Sequence, residues 1–369
     1  MVTARVPLQT PQIHTCQIIA LIPGLSVRGK ARMQKWITIA STLFFFFALS
    51  VIYHISPKTN QISPVIPSSN SSLPQKQIMN YRGSIIFVET SDSLEPSPLA
   101  SCSVESAARI YQDRPVFYFM KGPTANIRQD VNSAYPTFSL LSALENVYII
   151  PFQLEILFQG TPLLRWYHQV KPDQEVYWRH VSSDACRYAL LWKYGGIYMD
   201  TDVISLRPTS LENFLTAEDL NLIGSAIFGF SRHHPFLWDC MEDFVQNYNG
   251  ADWGYQGPKL LTRRLKALCK LGDFHDVEDL RCQNILYLHP QRFYPLPYSE
   301  WWKYFEAWET NPDFSNSFGL HLWNFMNKEH KTVVVGSNTL MENLYKTNCP
   351  TTYNVLIQGT KGSGATKEE

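Results

Sequence analysis

At 369 residues the chain is long enough for one large domain or two small ones. Its 32 acidic and 32 basic residues cancel, which removes the overall basic character that would draw it to nucleic acid. Aromatic residues make up 14% of the chain, enough for a sizeable core with rings left over for a binding cleft, although core packing is the default reading of any single ring.

In chain order, the first feature is the run from Trp36 to Ile55, which carries no formal charge and holds four consecutive phenylalanines, Phe44 to Phe47. A helix of about twenty residues at a rise of ~1.5 Å spans a hydrocarbon layer of ~30 Å. Arg28, Lys30, Arg32 and Lys35 precede it and only Lys58 follows closely, so the amino terminus is expected on the cytoplasmic side. A cleaved signal peptide is the alternative; the length of the run and the lack of a small-residue cleavage pattern speak against it. A buried core helix fits less well, because the run is apolar on every face. The expectation is a cytoplasmic tail (1–35, with Met33 an alternative start), a signal-anchor transmembrane helix (36–55) and a flexible stem (56–80) rich in Pro, Ser, Asn, Gln and Lys. The stem holds the chain's only Asn-x-Ser/Thr triplet, Asn70-Ser71-Ser72, a glycan acceptor if lumenal. Residues 360–369 read as a disordered tail, leaving 81–359 as the catalytic domain.

Within that domain, Ser84 to Glu89 reads as a buried strand, Cys102 to Tyr111 as a helix, Pro115 to Met120 as a second strand and Asn146 to Ile150 as a third. Ser183 to Tyr194 reads as a helix capped by Ser182 or Ser183, with Asp184 in its first turn, Lys193 in its last and Gly195 at the left-handed position beyond it. Strands alternating with helices predict an α/β sheet that binds ligands beyond the carboxyl ends of its strands. Gln256-Gly257-Pro258 reads as a tight loop entering a helix from Lys259 to Lys270, and turn chemistry accounts for the Gly and Pro. Trp301, Tyr304, Phe305 and Trp308 recur at i, i+3, i+4, i+7, the spacing of a core helix face, which leaves Trp302 as an acceptor-site candidate. Beyond the membrane run the six cysteines face an oxidising lumen. Cys269 and Cys282 bracket a short polar segment and are the expected pair, Cys186 reads as a small buried thiol, and no spacing suits structural zinc.

The chemistry centres on Asp200 and Asp202. An i, i+2 pair projects to one side of an extended segment, so both carboxylates can approach one ion. Oxygen-rich coordination suits Mn²⁺ or Mg²⁺, with diphosphate oxygens filling the open positions. A calcium loop lacks its further ligands here, and a haloacid-dehalogenase-type phosphatase prefers Thr or Val where Ile204 stands. Asp184 and Arg187 fall at i, i+3 on one helical face, where a surface ion pair is the plainer reading. With a cation beside them they suit a phosphorylated donor with a polar head, such as a sugar nucleotide.

Ser183-Asp184-x-x-Arg187, followed by Tyr194-Gly195-Gly196-Ile197-Tyr198-x-Asp200-x-Asp202-Val203, resembles the sugar-binding region of family 32 glycosyltransferases and of the related glucosylating toxins. Phe87 to Ser91, Cys102 to Ser106, Trp253 to Pro258, His321 to Asn324 and Cys349 to Thr351 resemble the vertebrate α1,4-glycosyltransferase branch, and the likeness runs from about Gly83 to Gln358. Tyr198 to Ser205, His233 to Trp238 and Gly336 to Leu340 look more like the members that transfer N-acetylglucosamine. Cys186 departs from the pattern, which expects serine there. The resemblance implies a GT-A fold, a UDP-sugar donor, Mn²⁺ or Mg²⁺, a single-pass type II Golgi membrane protein with a lumenal catalytic domain, and retention of the α configuration. It implies that Asp184 and Arg187 hold the donor sugar, with Tyr198, Thr90, Trp253 and Trp323 also on the donor side. His321 would be a third metal ligand beside Asp200 and Asp202, although a core histidine is an equal reading. Gln256 and Asp202 would act in catalysis. The expected reaction is transfer of GlcNAc from UDP-GlcNAc in α1,4 linkage to a terminal β-galactose of mucin-type O-glycans. The alternatives are a UDP-galactose-dependent α1,4-galactosyltransferase acting on lactosylceramide-type glycolipid and a catalytically inactive glycan-binding relative.

Overall fold

The computed structural model describes residues 83–122, 135–270, 272–310 and 312–359, all within one compact unit, residues 66–369. The expected tail, membrane helix, stem with Asn70 and carboxyl-terminal tail lie outside the described residues. Among the described residues no helix is long and apolar enough to cross a membrane.

The apolar runs Ile85–Glu89 (β1) and Val116–Met120 (β2) pair in parallel, and β2 pairs in parallel with Val147–Pro151 (β3). Alternate side chains of these strands go to opposite faces. Ile86, Val88, Phe117 and Phe119 enter one core, whereas Ile85, Phe87, Val116, Tyr118 and Met120 enter the other. Burial on both faces explains why the runs are continuously apolar rather than alternating. Pro98–Ile110 (α1) crosses between β1 and β2 with Ser97 as its cap, its side chain accepting from Ala100 N at 3.1 Å.

Trp178–Tyr194 (α2) leads into Gly196–Met199 (β4), which lies on the other side of β1 from β2 and parallel to it. The chain therefore reverses its direction of winding between β1 and β4, and ligands of open α/β sheets bind at such a switch point. α2 starts five residues before the expected Ser183, so neither Ser182 nor Ser183 caps it; Tyr177 is the cap residue and makes no side-chain cap bond. Val181 buries into the core and Trp178 stacks near Trp166, so apolar packing extends the helix past its polar cap candidates. Asp184 accordingly lies inside the helix rather than in its first turn. Gly195 does take the left-handed conformation at φ 69°, and a Cβ there would lie 2.7 Å from Arg232 N.

The sheet continues antiparallel through Ile223–Phe230 (β7) and Phe214–Ala217 (β6), then β6 pairs in parallel with Ile285–Leu288 (β9), which pairs antiparallel with Leu280–Cys282 (β8), in the order β3-β2-β1-β4-β7-β6-β9-β8. Val203–Ser205 (β5) and Gly319–His321 (β10) form a separate antiparallel pair with His321 opposite Val203. Pro235–Gln246 (α3) and Pro258–Leu268 (α4) pack with α2 over one face of the sheet. α1 and Leu340–Asn348 (α5) cover the other. Two disulfides form. Cys269–Cys282 is the expected one; Cys102–Cys349 joins α1 to the end of α5 across 247 residues and was not anticipated. Cys186 and Cys240 are buried free thiols.

The aromatic segment differs from its expected form. Tyr298–Phe305 is a 3₁₀ helix kinked at Glu300, and Trp308 lies beyond it. Burial still follows the expected face, since Tyr304 is fully buried, Trp301, Phe305 and Trp308 pack against the core, and Trp302 is 39% exposed. In a 3₁₀ helix residues three apart eclipse, which keeps Trp301 and Tyr304 together without an α-helical turn.

Candidate metal and donor site

β4 ends at Met199, and Asp200-Thr201-Asp202 turns the chain into β5. The two aspartates thus lie on a turn, not on an extended segment, and the turn is held from several sides. Asp200 N donates to Ala226 O of β7 at 2.8 Å, Ser103 Oγ of α1 donates to Thr201 O at 2.9 Å, and Leu322 N donates to Asp202 O at 2.9 Å. Every anchor but the side chain of Ser103 is a backbone group, so the geometry of the turn depends little on side-chain identity.

Ligand atoms of Asp200, Asp202 and His321 lie within 4.8 Å of one another, the only such group of three among the described residues. His321 Nε2 is 3.3 Å from Asp202 Oδ1, and Asn324 N donates to Asp202 Oδ2 at 2.9 Å. Burial works against the charge of both residues, but His321 and the Asn324 N–H together hold the Asp202 carboxyl below its usual range. Asp202 in turn raises His321 despite burial. Asp200 goes the other way: burial raises it and Asp202 adds to the rise, against the opposing pull of Arg187.

Arg187 is the hub of a charged network beside these aspartates. Its guanidinium lies 3.3 Å from both Asp184 Oδ1 and Asp200 Oδ1, donates to Ser225 O at 2.5 Å and to Ser183 Oγ at 3.0 Å, and covers the Tyr198 ring at 4.7 Å. Burial disfavours its charge, but Asp200, Tyr198 and Asp184 outweigh that and hold it protonated. Tyr198 is itself buried and donates to Asp200 Oδ1 at 2.5 Å. Asp184 is pushed up to about 6 by burial, with Arg187 opposing and Asp200 adding. Three carboxylates thus face one guanidinium and one imidazole. That excess of negative charge, presented through two carboxylate oxygens and a ring nitrogen, fits a divalent cation such as Mn²⁺.

Gln256 is buried beside this network, with Nε2 donating to Phe244 O at 2.8 Å and its backbone O accepting from Tyr188 at 3.0 Å. Its Oε1 is buried without a hydrogen-bond partner. Gly257 precedes α4 with φ −107° and ψ −101°, outside both the helical and the extended regions. A Cβ there would also meet Asp184 Oδ1 at 2.7 Å and Ser225 Oγ at 2.8 Å, so the backbone conformation and the close approach of these side chains both favour glycine.

The remaining anticipated residues fall at different depths. Thr90 is buried at the end of β1, where its Oγ1 donates to Arg179 O at 3.2 Å and ties the strand to α2. β10 ends at His321, so Trp323 does not share a strand face with it; Trp323 is left-handed at φ 54° and buried. Its Nε1 donates to Leu296 O at 2.8 Å and its ring stands edge-on to His321 at 4.5 Å, bracing the imidazole from behind. Trp253 lies at the rim, 41% exposed. Ser103 and Asn324 lie in the family-like stretches Cys102 to Ser106 and His321 to Asn324, and Ser225 in none; no sequence pattern gives the three their contacts, and Asn324 acts through its backbone N–H. Glu218, at the end of β6, is raised to about 7 by burial with His321 opposing, and it too has no local sequence signature.

Residues 97–221 match the glycosyltransferase sugar-binding region containing the DXD motif, and residues 229–356 match the alpha 1,4-glycosyltransferase conserved region. The human alpha-1,4-N-acetylglucosaminyltransferase is 50% identical over 331 residues, covering 90% of this chain and 97% of that protein. The chain belongs to the α1,4-glycosyltransferase family. Human lactosylceramide 4-alpha-galactosyltransferase, another relative, is 36% identical over 336 residues, covering 85% of this chain and 90% of its own. Among solved structures, galactosyltransferase LgtC in complex with donor and acceptor sugar analogs aligns at 14% identity and a TM-score of 0.38, covering 71% of this chain and 94% of that one. In this α1,4-glycosyltransferase the DXD motif is Asp200-Thr201-Asp202, and it implies a divalent metal and a nucleotide sugar.

Proposed function

We propose that this chain is a GT-A-type enzyme that transfers GlcNAc from UDP-GlcNAc in α1,4 linkage to a terminal β-galactose of O-glycans, with retention of configuration. The observation that carries the reading is 50% identity to the human N-acetylglucosaminyltransferase over nearly the whole chain, together with an intact Asp200–Asp202–His321 cluster. Asp200, Asp202 and His321 hold Mn²⁺, or Mg²⁺ in its place. When bound, the ion neutralises charge on the departing nucleotide diphosphate.

The chain's own side chains do the rest. Arg187 is locked by Ser183, Ser225, Asp184 and Asp200, so it meets the donor without reorganising. Asp184, ionised above about pH 6, accepts from hydroxyls of the donor sugar. The unpartnered Oε1 of Gln256 places the negative end of a fixed amide beside the positive charge that builds on the sugar ring. The acceptor hydroxyl attacks from the side on which UDP leaves, and a phosphate oxygen of the leaving group takes its proton. The charge-free run from Trp36 to Ile55 and its basic flank support a type II Golgi membrane protein with this domain lumenal and Asn70 on the glycosylated side.

The test offers UDP-GlcNAc and UDP-galactose separately to the full chain in detergent, with Mn²⁺ and a β-galactoside, beside an Asp202→Ala control. GlcNAc transfer that vanishes in the control is the expected result. Galactose transfer would move the enzyme to the glycolipid-type activity that the second relative bears in its name. No turnover with either donor would leave the glycan-binding alternative.

A further inference from the structure

Most large apolar side chains exposed on this domain stand singly, which is ordinary for a soluble surface. Trp253 and Phe325 do not. They are 41% and 37% exposed, and their rings stack on each other at 5.0 Å and 16°. They come from segments far apart in sequence, Trp253 from the stretch before α4 and Phe325 from the 3₁₀ helix Asn324–Met326. Trp253 lies three residues before Gln256, and Phe325 directly follows Asn324, whose N–H holds Asp202. His180, on α2 one turn before Asp184, meets Phe325 edge-on at 4.9 Å, and Lys328 Nζ lies over the Phe325 ring at 3.4 Å. Burial holds the His180 imidazole below its usual range, and the charges of Arg187, Arg179 and Lys328 add to the shift. Three site-bearing elements thus converge on one exposed aromatic pair flanked by an imidazole and an ammonium, next in the chain to Asn324, which holds Asp202, the pattern of a ligand subsite rather than of core packing.

We propose that Trp253 and Phe325 form the acceptor subsite, with Trp253 stacking on the apolar face of a terminal β-galactose and His180 and Lys328 reaching its hydroxyls. The proposal rests on the transfer reading above and deepens it. The stereochemistry of galactose supports the match. Its axial O4 leaves the C3, C4 and C5 hydrogens together on one ring face, which lies flat on an indole. Stacking through that face directs O4, the hydroxyl that an α1,4-transferase glycosylates, away from the tryptophan. This separates Trp253 from the buried residues that grip the donor, among which sequence reading had placed it.

The experiment uses the full chain with UDP-GlcNAc, Mn²⁺ and p-nitrophenyl β-galactoside. Trp253→Ala is expected to raise the acceptor KM by about ten-fold, the worth of one aromatic stacking contact, while KM for UDP-GlcNAc is held. Phe325→Ala should act in the same direction to a smaller degree, and Trp253→Phe should recover most of the loss. Tryptophan fluorescence of the UDP–Mn²⁺ complex provides a second readout that needs no turnover. Methyl β-galactoside should quench the wild-type chain and not Trp253→Phe. An unchanged acceptor KM, or a loss that falls on KM for UDP-GlcNAc, would overturn the subsite and leave the transfer reading intact. A wild-type chain that turns over neither donor would instead count against the transfer reading, and the galactoside quench would then decide the subsite by itself.

Discussion

On the α2 side of the paired aspartates the charged partners come from residues close together in the chain, whereas on the β10 side an imidazole and a backbone N–H are delivered from as far as 122 residues away. Asp184, Arg187 and Asp200 share one buried network built by a helix and the strand after it. Asp202 is held instead by His321, braced by Trp323, and by the Asn324 N–H. Two carboxylates two residues apart end with opposite pKa directions for this reason. Local sequence places the charges, and remote packing decides what each charge feels.

Removing the hub of the charged side should give the largest effect. Arg187→Met leaves Asp184 and Asp200 buried without their cation, which should cost about 3–5 kcal/mol of stability. The thermal midpoint should fall by something on the order of 10 °C. A midpoint that did not move would mean that water, not Arg187, satisfies these carboxylates. The same contrast between local and remote can be drawn with the disulfides. Cys102–Cys349 closes 247 residues of chain and Cys269–Cys282 only 13. On loop entropy, replacing the first pair with serine should cost about 2–3 kcal/mol more than replacing the second. Equal losses in denaturant titrations would show that the unfolded chain is not governed by loop length.

The β10 side is probed by Trp323→Phe, which keeps a ring against His321 but removes the bond to Leu296 O. Mn²⁺ affinity, read from the free-ion resonance signal, should weaken by about ten-fold, in line with loss of a supporting contact behind a metal ligand. The α2 side is sharpened by pH. Asp184, near 6 in the fold and 3.8 by itself, should lose the carboxylate that we propose accepts from the donor sugar as pH falls. UDP-GlcNAc affinity measured by calorimetry should then drop about ten-fold per unit below that point. Its stability contribution has the opposite sign. Because the folded pKa is raised, the contribution is full below 3.8 and lost as pH rises through about 6. The smallest effect should come from Ser103→Ala, which frees Thr201 O and should cost about 1 kcal/mol in a melting experiment.

What could be read without the fold was whatever neighbouring residues express by themselves. β1 and β2 are buried on both faces and so are continuously apolar, and Gly195 ends α2 because only a left-handed residue fits there. The Asp-Thr-Asp turn follows a strand end, and Cys269–Cys282 closes a short loop, so each of these also has a local cause. Tertiary structure decided the rest, because burial and long-range pairing have no local signature. It carried α2 past two good cap residues and gave the aromatic segment a 3₁₀ form around the same buried face. It set Gly257 against Asp184 and Ser225, where a Cβ would crowd both side chains, and it tied Cys102 to Cys349. It also brought His321 and Asn324 to Asp202, and stacked Trp253 on Phe325, by folding distant segments against one sheet.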